Sequence, residues 1–224
     1  MLQSLSPAAI IFDFDGVIAD SEALANAVLA DAVTGLGLPT TLDDALRRYQ
    51  GRRWPDVAKL IQSGLRKPLP SDFADSLKVD TLERFRTDLR EVEGAVDFIR
   101  RVSIPKCIAS SSSMERLSLC LNVLGITEEF SGRVFSADTV PRGKPYPDIF
   151  LYAAAQMGID PAHCLVIEDS PSGVQAGIAA GMTVIGLCAA SHVRDGHAKR
   201  LLKAGAYRVV DHWNEVATLI NPVT

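Results

Sequence analysis

Two aspartates near the start of the chain are spaced to act together. Asp13 and Asp15 follow five apolar residues, 8–12, and precede Gly16. Side chains at positions i and i+2 of an extended chain lie on the same side, so the two carboxylates would share one face. Helix capping or a turn explains one such aspartate, but not two at the end of a buried strand. Buried carboxylates are costly unless a cation meets them, so the pair predicts a charged site.

A second acidic pair, Glu168-Asp169, follows another apolar run at 164–167. Adjacent residues on a strand point to opposite faces, so these two acids converge only beyond the strand end. Ser170 and Pro171 come next, and capping of the following helix is a sufficient explanation for Ser170. Such a cap does not exclude metal binding by the two acids.

Candidate anion-binding groups follow other apolar stretches. Ser110–Ser113 open a predicted helix, where hydroxyl and free N–H groups bind anions, although at least one of the four is expected to be only an N-cap. Lys144 lies between Gly143 and Pro145 ahead of a helix and would present a fixed ammonium group. The loop is not a Walker A motif, because Pro145 replaces the Ser/Thr and the upstream glycine is missing.

Short apolar runs alternate with helical patterns over most of the chain. The runs are continuously apolar, which is typical of strands covered by helices on both faces. The sequence predicts strands at 8–12, 107–109, 164–167, 183–185 and 207–210, and helices near 94–102, 113–124, 147–157, 171–180, 194–204 and 213–219. This alternation predicts an α/β fold with a doubly wound parallel sheet.

Residues 18–88 break the alternation, because they show helical patterns and turn signals but no convincing strand. We therefore expect two domains: a core of residues 1–17 and 89–224, and an inserted all-α domain of residues 18–88. The insertion follows the first strand, at the sheet edge where open α/β folds bind ligands.

All the polar clusters follow predicted strands, so a parallel sheet would bring them to one edge. At about 5 Å and an effective dielectric constant of about 20, each pair of like charges costs roughly 3 kcal/mol. A group of carboxylates therefore needs a divalent cation, and oxygen ligands favour Mg²⁺ over Zn²⁺. Acids, metal and anion donors together predict phosphoryl transfer. The expected site comprises Asp13, Asp15, Lys144, Glu168 and Asp169, together with serines of the run Ser110–Ser113.

Composition argues against other classes of protein. The 224 residues include 23 Lys and Arg against 27 Asp and Glu, a formal charge of −4, which argues against a nucleic-acid partner. The longest nearly apolar run, Met182–Ala190, falls far short of the roughly 20 residues of a membrane-spanning helix. Four isolated cysteines and the lack of a signal pattern predict a cytoplasmic protein with reduced thiols.

The motifs resemble, in order and spacing, those of the haloacid dehalogenase (HAD) superfamily, in its branch with a helical cap. Asp13-x-Asp15-Gly16-Val17, together with Asp20-Ser21-Glu22, resembles motif I of the family. Ser110 resembles motif II, Lys144 resembles motif III, and Glu168-Asp169 resembles motif IV. The resemblance covers nearly the whole chain. It implies an HAD-like Rossmannoid core with an all-α cap domain inserted after motif I.

The resemblance also implies the roles of the two aspartates. Asp13 would be the nucleophile that forms an aspartyl-phosphate, and Asp15 would protonate the leaving group and then activate water. Dehalogenases and phosphonate hydrolases of the superfamily lack the second aspartate, so Asp15 indicates a phosphoester substrate.

Binding roles follow from the same resemblance. Mg²⁺ would be bound by the Asp13 carboxylate, the Asp15 carbonyl and Asp169, with Glu168 nearby. The phosphate would be held by Ser110, Ser111 and Lys144.

Two departures from the family pattern favour a hydrolase over the related β-phosphoglucomutases. Those mutases usually carry a histidine five residues after the Asp of Asp-Ser-Glu, where this chain has Ala25. They also carry Gly-x-x-Arg in the cap, whereas here Gly51 is followed by Arg52, Arg53 and Trp54. We expect Arg52 and Arg53 to lie on a cap loop facing the active site and to contact a polar part of the substrate.

The predicted function is a Mg²⁺-dependent phosphatase for small phosphorylated metabolites of the sugar-phosphate or phosphoglycolate type. A phosphosugar mutase is an alternative. A phospho-aspartate signalling module such as a receiver domain is another, but it needs neither an inserted cap nor the Asp-x-Asp pair. We expect a small-molecule phosphoester as partner and a monomer or weak homodimer. His192 and His197 are predicted to lie on the surface.

Overall fold

The computed structural model describes residues 5–50 and 54–220. The chain divides into two compact units, one formed by residues 1–20 and 90–224 and the other by residues 21–89. We call them the core unit and the helical unit. Among the described residues, no helix combines the length and apolar character that crossing a bilayer requires.

The core unit is built on one parallel sheet. Its strands are β1 (Ala9–Phe12), β2 (Lys106–Ser110), β3 (Val134–Ser136), β4 (Cys164–Glu168), β5 (Thr183–Leu187) and β6 (Arg208–Val210). They lie in the order β3-β2-β1-β4-β5-β6, and every neighbouring pair is parallel. Ile11 of the central strand is in register with Cys107 on one side and with Val166 on the other.

Helices make up most of the remaining regular structure. The helical unit contains α1 (Ser21–Gly35), α2 (Leu42–Arg48), α3 (Trp54–Gly64) and α4 (Phe73–Asp88). The core unit contains α5 (Ala95–Arg101), α6 (Met114–Val123), α7 (Asp148–Met157), α8 (Pro171–Ala179), α9 (His197–Ala204) and α10 (Trp213–Leu219). Short 3₁₀ helices occur at Glu128–Phe130, Ala137–Thr139 and Pro161–His163.

Helices cover both faces of the sheet, as the continuously apolar strands predict. Ile11 lies in a buried cluster with Ile149 of α7. The next residue, Phe12, points to the opposite face. There its ring centroid lies 6.2 Å from that of Phe98 in α5 and 5.8 Å from that of Trp213 in α10. The prediction of a doubly wound parallel α/β fold is confirmed.

Two elements of the core unit differ from the sequence prediction. The prediction lacks β3, because only Val134 and Phe135 of its three residues are apolar and such a short run gives no strand signal. It also starts α9 at residue 194, whereas the helix begins at His197. The reason is Gly196, which precedes the helix with a left-handed φ of 79°, a conformation that glycine adopts without steric cost.

The helical unit has its own apolar interior. The described residues of this unit form four helices and contain no strand. All four helices contribute residues to one buried cluster, and so does Tyr49, the residue that follows α2. The cluster includes Leu29, Val33, Ala45, Tyr49, Val57, Ile61 and Phe73. This unit therefore has the packing of an all-α domain.

The chain passes between the units at residues 20–21 and 89–90. The two connecting segments pair within the core unit, where the Val92 N–H donates to the Ile18 carbonyl at 2.8 Å and the Asp20 N–H donates to the Arg90 carbonyl at 2.9 Å. Residues 18–20 therefore group with the core unit, and the helical unit begins three residues after the boundary that the sequence suggests.

Candidate active site

The winding of the sheet marks a place for ligands at the carboxyl ends of β1 and β4. The strand order reverses between these two strands, and open α/β sheets bind ligands at such a switch point. Asp13 directly follows β1, and its N–H donates to the carbonyl of Ile167 in β4 at 3.0 Å. Glu168 is the last residue of β4, and Asp169 follows it. The fold therefore brings Asp13 beside the second acidic pair.

Three carboxylates form a buried acidic cluster at this point. One side-chain oxygen from each of Asp13, Glu168 and Asp169 lies within 4.8 Å of the others. The three residues are only 7%, 0% and 5% exposed, respectively. Ionised carboxylates so close together and shielded from water repel one another strongly. All-oxygen ligands with surplus negative charge suit a hard divalent cation, so the cluster fits Mg²⁺.

Lys144 joins two members of the acidic cluster. Its Nζ donates to Asp13 Oδ1 and to Glu168 Oε1, each at 2.6 Å, and to the Ala109 carbonyl at 3.2 Å. The ammonium also lies 4.8 Å from the ring centroid of Phe150 in α7. With 5% of its side chain exposed, Lys144 is held as a fixed internal cation rather than a solvated one.

Burial and neighbouring charges shift the pKa values of Asp13 and Lys144. Burial raises the pKa of Asp13 well above its usual value, against the opposing effect of Lys144, and the neighbouring charges of Glu168 and Asp169 raise it further. Burial by itself lowers the pKa of Lys144, but its attraction to Asp13 and Glu168 outweighs burial and leaves that pKa above the usual value. Lys144 is therefore a permanent positive charge at neutral pH.

The side chain of Glu168 is fixed against the start of α8. Its Oε2 accepts hydrogen bonds from the Ser170 N–H at 2.8 Å and from Ser170 Oγ at 2.9 Å. A Cβ atom at Gly173 would lie 1.6 Å from Glu168 Oε1, so the first turn of α8 needs a glycine there. Ser170 is also the N-cap of α8, accepting from the Gly173 N–H. Capping and the acidic site thus share this serine.

Asp15 takes a different position from Asp13. Its Oδ2 accepts a hydrogen bond from Ser112 Oγ at 2.5 Å, and its Oδ1 forms an ion pair with Arg116 of α6. Among the described residues, the group of carboxylates close enough to share a metal ion does not include that of Asp15. The sequence interpretation missed Arg116, and it named Ser112 only as a member of the serine run, without its contact to Asp15. The position of Arg116 in the first turn of the predicted helix after the serine run is the one signal that could have found it.

The serine run divides into different roles. Ser110, at the end of β2, is buried, and its Oγ accepts from the Ser112 N–H at 3.0 Å. Ser111 is exposed. The Ser112 carbonyl accepts from Ser136 Oγ at 2.8 Å, which fixes this loop from a second strand. Ser113 is the N-cap of α6, so one of the four serines is a cap, as expected.

The prediction that His192 and His197 lie on the surface is wrong. They are 3% and 7% exposed, and both contact Asp169. The sequence around them is polar and gave no sign of burial. Burial chiefly lowers the pKa of His197. Two further predicted site residues, Arg52 and Arg53, lie outside the described residues, as does Gly51.

Fold and site together define an α/β enzyme core with a charged centre at the switch point of its sheet. The chain belongs to the haloacid dehalogenase-like hydrolase family, whose family model matches residues 7–181. This match confirms the resemblance that the motifs indicate, and with it the prediction of a hydrolase.

Several relatives resemble this chain over nearly its full length. The structure of a conserved HAD-like protein of unknown function from Agrobacterium tumefaciens is 35% identical, with a TM-score of 0.86 over 96% of this chain and 97% of that one. A HAD family hydrolase from Deinococcus radiodurans, with bound phosphate and sodium, is 33% identical, with a TM-score of 0.83 over 98% and 100% of the two chains.

A curated relative, the phosphorylated carbohydrates phosphatase of Thermotoga maritima, is 31% identical over 206 residues, which are 90% of this chain and 93% of that protein. This chain also matches parts of longer proteins, and spans 17% and 47% of the length of two from Arabidopsis thaliana.

Proposed function

We propose that this protein is a Mg²⁺-dependent phosphatase that hydrolyses small phosphorylated metabolites of the sugar-phosphate type through an aspartyl-phosphate on Asp13. The observation that carries the proposal is the position of Asp13 at the switch point, between the buried cation of Lys144 and two further carboxylates. The phosphatase from Thermotoga maritima supports the substrate class. The phosphate bound to the hydrolase from Deinococcus radiodurans supports the choice of ligand.

Asp13 is the nucleophile in this proposal. One oxygen of its carboxylate attacks phosphorus, while the bond between phosphorus and the oxygen of the leaving alcohol breaks. The hydrogen bond from Lys144 to Oδ1 fixes the orientation of the carboxylate before the attack. Orienting a nucleophile in this way lowers the entropic part of the barrier.

Asp15 is the acid and base. As the phosphoester bond breaks, it donates a proton to the leaving oxygen; it then removes a proton from the water that attacks the phosphorylated Asp13. Phosphate leaves, Asp13 is again a carboxylate, and Asp15 again carries the proton with which it began. Asp15 accepts hydrogen bonds from Ser112 and Arg116 in the structure. It must therefore give up at least one of these contacts and take up a proton before it acts as the acid.

The residues present fit a Mg²⁺ ion, which would be held by the carboxylates of Asp13 and Asp169 and the carbonyl of Asp15, with Glu168 beside them. When bound, the ion would offset negative charge on the phosphoryl oxygens. Ser110, Ser111 and Lys144 are proposed to bind the other phosphoryl oxygens.

Phosphate release from a panel of phosphorylated metabolites tests the proposal. We expect Mg²⁺-dependent release from sugar phosphates, loss of activity in excess EDTA, and recovery on adding Mg²⁺ but poor recovery with Ca²⁺, which accepts looser coordination. Asp13→Asn serves as the inactive control. Isomerised phosphosugar without phosphate release would identify a mutase instead, and a single stoichiometric phosphorylation without turnover would identify a signalling module. Full activity in EDTA would contradict the metal assignment.

A further inference from the structure

Two of the four histidines of the chain are buried beside the acidic cluster. His192 and His197 follow β5 and are 3% and 7% exposed, whereas His163 and His212 are exposed. Burying an imidazole costs free energy unless its nitrogens find partners. The partners of both rings therefore indicate why they are inside.

Both rings contact the same acidic residue from two directions. His192 Nε2 lies 3.2 Å from Asp169 Oδ2, and His197 Nε2 lies 2.6 Å from the Asp169 carbonyl oxygen. Because a carbonyl oxygen only accepts hydrogen bonds, His197 Nε2 must carry the proton. Its Nδ1 lies 2.8 Å from Nη2 of Arg200, which donates to it. This chain of hydrogen bonds fixes the ring of His197.

The carboxylate of Asp169 is also enclosed from the side of β1. A Cβ atom at Gly16 would lie 2.0 Å from Asp169 Oδ2 and 2.9 Å from Cε1 of His192. Gly16 has a left-handed φ of 78°, so glycine is needed there for conformation as well as for space. The turn after β1 and the ring of His192 thus leave Asp169 little freedom to rotate.

A second contact ties the histidine segment to the loop after β1. Asp20 Oδ1 accepts hydrogen bonds from the Ser191 N–H at 3.1 Å and from Ser191 Oγ at 2.9 Å. Ser191 directly precedes His192, so this bond sets the position of that ring relative to the first motif. The loop that carries Asp13 is therefore linked to the segment that carries His192, whose ring in turn contacts Asp169.

We propose that His192 and His197 are positioning residues that orient Asp169 for Mg²⁺, His192 through the carboxylate and His197 through the backbone. The proposal rests on the proposed function, because it assumes that Asp169 is a metal ligand. Partners that hydrogen-bond to metal ligands fix the orientation of those ligands, and their loss commonly weakens metal affinity or activity about 10- to 100-fold. Neither histidine is assigned a part in the chemistry of the substrate.

Direct Mg²⁺ binding to the substrate-free protein, measured by titration calorimetry, tests this proposal without using activity. We expect His192→Ala to raise the Kd for Mg²⁺ by about 10- to 100-fold. His192→Gln, which keeps an N–H donor of similar reach, should recover much of the affinity. The matched control is His163→Ala, which removes an exposed histidine that precedes β4. This change should leave the Kd within about twofold of the parent.

A purely structural role would lower the unfolding temperature in EDTA without changing the Kd of the folded protein for Mg²⁺. An unchanged Kd in folded His192→Ala therefore overturns the proposal. If that variant does not fold, Arg200→Met provides the test, because it removes the hydrogen bond from Arg200 to Nδ1 of His197. We then expect a severalfold higher Kd, and an unchanged one overturns the proposal. Failure of the parent protein to bind Mg²⁺ would contradict the proposed function itself, which distinguishes the two failures.

Discussion

The ion pairs of the helical unit differ from those at the sheet edge of the core unit. Three ion pairs among the described residues of the helical unit join residues three or four positions apart on one helix, and their side chains are partly or largely exposed; they are Arg47–Asp44, Arg84–Asp88 and Arg86–Glu83. Three ion pairs at the sheet edge of the core unit join distant parts of the chain and are largely buried; they are Lys144–Asp13, Lys144–Glu168 and Arg116–Asp15.

This difference separates charges that keep a surface solvated from charges that form a site. An exposed pair within one helix contributes about 0.3–0.5 kcal/mol, because water screens it and two flexible side chains must be ordered. A buried pair loses hydration that its mutual attraction seldom exceeds. Such a pair is poor evidence for stabilisation, and at the switch point of a sheet it indicates chemistry. Substitutions in the two units should therefore differ in kind.

The largest effect is expected for Asp13→Asn. Removal of the proposed nucleophile should lower turnover on the order of 10⁴-fold or more. The folded-state pKa of Asp13 is raised, chiefly by burial, so the cost of ionising it is absent below its unfolded pKa and grows as the pH rises from there towards the folded value. Asparagine removes that cost. The variant should therefore unfold in EDTA at neutral pH with an unchanged or higher free energy of unfolding, measured by urea titration. Substantial activity in the folded variant would contradict the covalent mechanism.

Asp15→Asn should have a smaller effect that depends on the leaving group. General acid catalysis typically contributes about 10²–10⁴-fold, and it matters only when the leaving alkoxide is basic. We expect a loss in this range for alkyl phosphates and a much smaller loss for nitrophenyl phosphate, measured as kcat/KM. Phosphorylated enzyme should also accumulate, because the same residue activates water. Equal losses on both substrates would show that Asp15 has a structural role.

The parts of the site that were predictable from the sequence are those fixed by strand ends. Asp13 and Glu168 each lie at the end of a continuously apolar run. Parallel pairing of β1 with β4 brings these ends together through the backbone, independently of side-chain contacts. Five strands and the helices between them followed from the same periodicity. These features depend on short-range patterns, which a sequence displays directly.

The missing parts depend on contacts that have no local pattern. Arg116 and Ser112 meet Asp15 across about 100 residues of chain, and although the serine run and the helix after it are visible in the sequence, no local pattern shows that these two side chains reach Asp15. His192 and His197 lie in a polar segment that is typical of a surface loop, yet contacts with Asp169 and Asp20 bury it. Burial that is imposed by a site in another part of the fold cannot be derived from hydropathy.

Lys144→Met tests the buried side of the comparison through stability. It leaves Asp13 and Glu168 without their shared cation, and removal of one partner from a buried pair typically costs about 3–5 kcal/mol. We expect the free energy of unfolding in EDTA to fall by this amount. The folded pKa of Lys144 is raised, so the stabilisation is fully present below its unfolded pKa of about 10.4 and is lost only as the pH rises through the folded value. The deficit should therefore persist from pH 6 to pH 9.

Arg84→Met in the helical unit is the matched control for Lys144→Met. It removes one member of an exposed pair, with side chains of Arg84 and Asp88 that are 55% and 42% exposed. Its effect on the free energy of unfolding should stay below about 1 kcal/mol and should shrink further in high salt. Equal destabilisation by the two substitutions would remove the distinction between site charges and surface charges.

The smallest effect on catalysis is expected for Arg52→Ala and Arg53→Ala. We propose that these two arginines contact a polar or anionic part of the substrate away from the transferred phosphate. Loss of about 1.4 kcal/mol of charge-assisted hydrogen bonding corresponds to a roughly 10-fold higher KM for the physiological substrate. Nitrophenyl phosphate offers no such group, so its KM should hardly change in either variant.

Arg47→Ala is a suitable control for these two substitutions, because it removes an arginine that is already paired with Asp44 on the exposed surface of α2. A 10-fold higher KM in this control as well would mean that the helical unit acts on the substrate through its overall charge. If Arg52→Ala and Arg53→Ala handle every phosphoester as the parent does, both arginines belong with the exposed charges of the helical unit. Other residues would then have to determine which substrate is bound.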